Sequence, residues 1–100
     1  MQLQVESPHA ELDESIKNLV RSKFEHLGKR YKRVFRCDVV LGEEKSDIQQ
    51  YFFVEAKMEV PQKILFASDR AESFEMALGK VIHDLEHQLN SFKEELEERR

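Results

Sequence analysis

The stretch His83-Asp84-Leu85-Glu86-His87 has the spacing H-x-x-E-H, an inverted form of a zinc-hydrolase motif. On a helix, His83 and His87 share a face, so two imidazoles could hold a metal while Glu86 activates a bound water. Such a centre needs at least one more protein ligand and an open coordination position. The other histidines, His9 and His26, stand in no motif that would bring them beside the pair. Leu85 and Leu89 take the inward positions of the same helix, which leaves His83, Glu86 and His87 on its flanks or outside. The expectation is two solvated histidines, able at most to take up nickel or zinc opportunistically, with no resident metal, no cofactor and no catalytic residue. Other reactive types are no better placed. Cys37 falls mid-strand on the inner side with no histidine beside it in sequence, and reads as packing. Gly28, Gly42 and Gly79 are isolated and form no phosphate-cradling loop. The carboxylates are scattered and offer no acid/base couple. The chain is therefore read as a binding protein, not an enzyme.

Charge carries the stronger signal. The net charge of −4 argues at first against a phosphate-rich partner. Its layout does not. Between residues 17 and 36, Lys17, Arg21, Lys23, Lys29, Arg30, Lys32, Arg33 and Arg36 face only Glu25. From residue 84 onward, Asp84, Glu86, Glu94, Glu95, Glu97 and Glu98 outnumber Lys93, Arg99 and Arg100. A chain polarised in this way suits a nucleic-acid partner, or simply carries two solvated helix faces of opposite sign.

These residues must be positioned by a small fold. One hundred residues suit a single domain spanning 1–100, and 40% apolar content is enough for one core. A lone cysteine favours a reducing compartment. The start has no secretory pattern, and no apolar run approaches the ~20 residues that span a bilayer. The expected location is the cytoplasm. MQLQVE over 1–6 alternates as a strand, ended by Ser7-Pro8. Leu12, Ile16, Leu19, Val20, Phe24, Leu27 and Tyr31 make one helical stripe over 12–31. Residues 34–41 form a second strand, with Phe35, Cys37, Val39 and Leu41 on one side, and 42–50 reads as a hairpin loop. Residues 51–60 and 63–68 form two more strands around Pro61-Gln62. Ser73 caps a long helix whose apolar positions run from Phe74 to Leu96, with a charged stretch over 94–100 expected to fray. The order β-α-β-β-β-α predicts an α+β, two-layer domain. Its four-stranded mixed sheet has strands one and two parallel, and both helices pack on one face. On the outward face Tyr51, Phe53, Ile64 and Phe66 would lie together, with Val34 and Val40 near them. Apolar residues on an uncovered sheet face suggest self-association.

Several phrases, in order, resemble one family. They are "MQLQVES", "LVRSKFEHLGKRYKRV", "VVLGEEK", and "FASDRAESFEMALGKVIHDLEHQLNSFKEEL". The chain resembles the bacterial ribosome hibernation-promoting factors, also called ribosome-associated inhibitors or sigma-54 modulation proteins. Its length is similar to that of the short form, which lacks a dimerising C-terminal domain. The resemblance implies a fold related to double-stranded-RNA-binding domains. It also implies a stress-response role: binding in the messenger and transfer RNA channel of the small ribosomal subunit, inhibition of translation, and preservation of idle ribosomes. Carried over residue by residue, it implies RNA contact by Lys23, Arg33, Lys45 and Lys93. Arg21, Lys29, Arg30, Lys32 and Arg36 add to the same basic region by charge alone. The family usually has basic residues where Asp84, His87, Ser91, Glu95 and His26 stand here. Helix two would then bring Asp84 and Glu86 towards phosphate. A second reading stands beside the first: a protein-interaction or self-associating regulatory module of the same fold, a homodimer through Tyr51, Phe53, Ile64 and Phe66, which has lost strong ribosome binding.

Overall fold

The computed structural model describes residues 1–8 and 11–98. Its elements are β1 (Gln2–Glu6), α1 (Glu14–Arg30), β2 (Arg36–Lys45), β3 (Gln50–Val60), β4 (Lys63–Ala71) and α2 (Phe74–Glu98). The four strands form one sheet in the order β1-β2-β3-β4. β1 runs parallel to β2, and the other two pairs are antiparallel. α2 packs against β3 and β4, while α1 packs against β1 and α2. The expected two-layer architecture is the one observed.

The core lies between the sheet and the helices. Cys37, Val39 and Leu41 of β2 meet Val54, Ala56, Met58 and Val60 of β3, all buried. α1 contributes Val20, Phe24 and Leu27, and α2 contributes Ala77, Leu78, Val81, Leu85, Leu89 and Phe92. Each large side chain withdrawn from water stabilises the fold by about 1.5–3 kcal/mol. No polar or charged residue is buried among the described residues. Ser73 caps α2 as expected: its hydroxyl accepts the Met76 N–H at 3.1 Å.

Two expectations need correction. The hairpin arms are longer than the apolar pattern suggests, because β2 reaches Lys45 and β4 reaches Ala71. Glu43, Glu44 and Lys45 pair with Phe52, Tyr51 and Gln50 beyond the edge of the core, where backbone bonds need no apolar side chain. The loop shrinks to Ser46–Gln49, closed by the Ser46 N–H to Gln49 O bond at 2.8 Å.

The second correction concerns Val34 and Phe35. Val34 is buried and Phe35 is 58% exposed, the reverse of the expected sides. The Phe35 N–H donates to Glu59 O, while Arg36 is registered against the same Glu59. Two residues facing one is the arrangement of a β-bulge, and the extra residue flips the alternation at the strand entry.

α2 runs through Glu98, with Phe92 and Leu96 packed on the core. Arg99 and Arg100, part of the stretch expected to fray, lie outside the described residues, as does His9.

Candidate nucleic-acid interface

α1 ends where the Tyr31 N–H donates to Leu27 O at 2.8 Å, and the chain then turns through Lys32 and Arg33 into the bulge. This places Arg30, Lys32 and Arg33 along one wall of a groove of about 250 Å³. The other wall is the C-terminal half of α2, which supplies Lys93. Between the walls lie Tyr31, Val34, Leu89, Phe92 and Leu96. A second groove of about 330 Å³ adjoins it through Arg33, Phe92 and Leu96, and adds Lys63 beside the Pro61-Gln62 turn.

Tyr31 is fixed in this setting. Its hydroxyl donates to Asn90 Oδ1 at 2.6 Å. The Arg30 guanidinium lies 5.4 Å from the ring centroid, a cation–π contact. Arg30 also stands 3.9 Å from Glu86, and Lys63 stands 3.6 Å from Glu95. Both pairs are long and solvent-exposed, so each contributes about 0–1 kcal/mol. Lys32, Arg33 and Lys93 make no ion pair with a described carboxylate.

The sequence-predicted cations therefore divide. Arg30, Lys32, Arg33 and Lys93 come together. Lys29 is exposed on the last turn of α1. Lys23 lies apart, in a groove between the helices with Glu75, His83 and Glu86. Arg21 lines a different recess with Lys17, Glu11 and Val5, near the start of α1. Lys45 sits at the hairpin end of β2, about 30 Å from Arg36 at the usual rise per residue.

Arg36 does not add to the same basic region. Cys37 and Val39 turn inward, so Arg36 and Asp38 face the side of the sheet away from the helices. There its guanidinium donates to Asp38 at 2.9–3.1 Å and to Gln4 Oε1 at 2.9 Å. The paired guanidinium holds the Asp38 carboxyl below the usual carboxylate range. Two residues that reasoning from the sequence did not select belong near the groove. Tyr31 had read only as the end of an apolar stripe, and Lys63 only as the start of a strand.

The acidic helix face also divides, and not as expected. The Gln88 amide donates to the Phe66 carbonyl at 2.8 Å and to Asp84 at 3.1 Å. Lys80, one turn before Asp84, donates to the Arg70 carbonyl at 3.3 Å. Lys80, Asp84 and Gln88 thus lie along the open edge of β4, away from the cationic groove. Glu86 points to Arg30. His83 and His87 are both exposed. No group of three or more His, Cys, Asp or Glu side chains suited to a metal occurs among the described residues. Burial pushes the Cys37 thiol up to about 12, which leaves it without thiolate character.

The outward sheet face keeps Ile64 and Phe66 more than half exposed. Tyr51 and Phe53 are partly covered. Arg70 lies 6.0 Å from the Tyr51 centroid, and the Phe53 ring lies directly over Gly42. No helix among the described residues is long and apolar enough to cross a membrane.

Known proteins with this shape agree on the fold. A ribosomal subunit interface protein from Coxiella burnetii superposes with a TM-score of 0.80 at 15% identity, over 93% of this chain and 98% of its own. The N-terminal domain of Thermus thermophilus Protein Y gives 0.78 at 19% identity, over 92% and 99%. No curated protein is similar enough in sequence to register as a match. The family model described as sigma 54 modulation protein / S30EA ribosomal protein matches residues 3–97. With nearly the whole chain covered in the expected β-α-β-β-β-α order, the protein belongs to the sigma 54 modulation protein / S30EA ribosomal protein family.

Proposed function

We propose that the protein is a ribosome-associated inhibitor of translation in the cytoplasm. In this reading it seats on the small ribosomal subunit in the channel for messenger and transfer RNA and preserves idle ribosomes. The role is binding and involves no catalysed chemistry. The observation that carries the reading is the groove at the end of α1. There an otherwise anionic chain gathers Arg30, Lys32, Arg33 and Lys93, of which only Arg30 forms an ion pair with a described carboxylate. Cations so placed reach phosphates and fix orientation without reading sequence. The structural neighbours are consistent with the reading, since one is described as a ribosomal subunit interface protein. Co-sedimentation with purified small subunits at low salt tests it. The chain should pellet with the subunit, and joint Arg30→Glu, Arg33→Glu and Lys93→Glu should abolish pelleting. Lys57→Glu, on the opposite face of the sheet, should not. A wild-type chain that stays in the supernatant refutes the proposal.

A second reading draws on Ile64 and Phe66, which are 55% and 56% exposed on the outward face of β4. It makes the domain a homodimer through that face. Light scattering across a concentration series decides it, and a monomer throughout removes it.

A further inference from the structure

The groove holds more than charge. Its cations surround an apolar floor, in which Tyr31 and Leu96 are half-buried while Val34, Leu89 and Phe92 are almost wholly buried. Phosphates alone have no use for such a floor, because lysines and arginines meet them in water. The volume of about 250 Å³ equals roughly eight waters at ~30 Å³ each. That is room for one planar ring system. The cations stand on both walls, Arg30, Lys32 and Arg33 on one and Lys93 on the other. A fitting ligand has a flat apolar body and an anion on either side of it. An unstacked nucleotide within an RNA strand has that form, with its base between its 5′ and 3′ phosphates. Protein aromatics and arginine planes are the usual partners of such bases. Tyr31, held by Asn90 and covered by Arg30, is an aromatic–guanidinium pair already in place.

We propose that the groove captures one unpaired RNA base against the Tyr31–Arg30 pair, while Lys32, Arg33 and Lys93 hold the flanking phosphates. This rests on the reading of the groove as a ribosomal RNA contact, and narrows that contact from backbone alone to a single extruded base.

Fluorescence anisotropy with a labelled seven-nucleotide oligoadenylate, compared with an abasic strand of the same phosphate count, provides the test. The abasic strand should bind about 5- to 150-fold more weakly, the range set by one stacked base. Tyr31→Leu removes the stacking ring without changing charge and keeps an apolar floor. It should bring the intact strand down towards the abasic affinity. Should that variant fail to fold, the comparison of the two strands on the wild-type chain still decides. Equal affinities, or no binding of either strand, overturn base capture. So does displacement of the oligoadenylate by a glutamate–tyrosine copolymer that binds more tightly, which would make the groove a site for acidic peptides. Small-subunit sedimentation on the same preparations separates the two ideas. Retained pelleting with equal affinities removes base capture and leaves the ribosome reading standing, whereas lost pelleting removes the ribosome reading itself.

Discussion

Replacing Lys32 and Arg33 by glutamine should flatten the salt dependence of small-subunit binding by a calculable amount. Each phosphate neutralised by a cation releases bound counterions, so log K falls with log salt at a slope of about −0.7 to −0.9 per contact. Four groove cations give a slope of about −2.8 to −3.6, and a loss of about 50- to 150-fold in affinity between 50 and 200 mM salt. With Lys32 and Arg33 removed, two contacts remain. The slope becomes about −1.4 to −1.8 and the loss over the same range about 7- to 12-fold. Both residues are exposed and make no ion pair with a described carboxylate, so the substitution leaves the core and its packing alone. The assay is equilibrium binding to labelled small subunits at several salt concentrations, with circular dichroism to confirm an unchanged fold. Parallel lines for the two proteins, offset or not, would refute the reasoning. They would mean that neither cation meets a phosphate, whatever else the groove does.

Gly42→Ala would drive a Cβ into the Phe53 ring on the outward face. It should cost about 1–3 kcal/mol in urea denaturation, and most of that cost should vanish in a Phe53→Ala background. With its thiol pushed up to about 12, native Cys37 should resist a thiol reagent at pH 8 and react once the chain is unfolded in urea. For Asp38 the folded carboxyl titrates below its unfolded value, chiefly through the hydrogen bond from Arg36. Its stabilising contribution is therefore fully present above about pH 4 and is lost as pH falls through the lower folded value. Asp38→Asn should lose less stability than the wild type on acidification over that window, as followed by thermal melts.

The parts of this fold legible in the amino-acid pattern are those where burial repeats with a fixed period. β3 shows it in Val54, Ala56, Met58 and Val60, and α2 in its run from Ala77 to Phe92. The arms of the β2–β3 hairpin were not legible, because Glu43, Glu44 and Lys45 are held by backbone pairing and carry no apolar signal. The bulge at Phe35 was hidden for a different reason: an inserted residue has no composition of its own, yet it reverses the sides of Val34 and Phe35. The candidate site divides in the same manner. Arg30, Lys32 and Arg33 are neighbours in the chain, so their grouping could be read directly. That Lys93 joins them from α2, and that Arg36 leaves them for the opposite face, are facts of packing and strand parity. The Tyr31–Asn90 bond joins positions 59 residues apart and leaves no local trace.

The charged residues around His83–His87 divide between two sides of α2. Four-residue steps take Lys80, Asp84 and Gln88 along the β4 edge, where Gln88 and Lys80 occupy backbone carbonyls that an open strand would otherwise offer to another chain. The acids that do approach the groove are Glu86 and Glu95, each against a cation at 3.9 or 3.6 Å. Pairs so long and exposed contribute at most about 1 kcal/mol. Charge-assisted bonds to a phosphate are shorter and stronger, so an arriving phosphate can displace either carboxylate. An acidic second helix is therefore compatible with a cationic groove beside it, because pairs so long and exposed leave Arg30 and Lys63 available to a better anion.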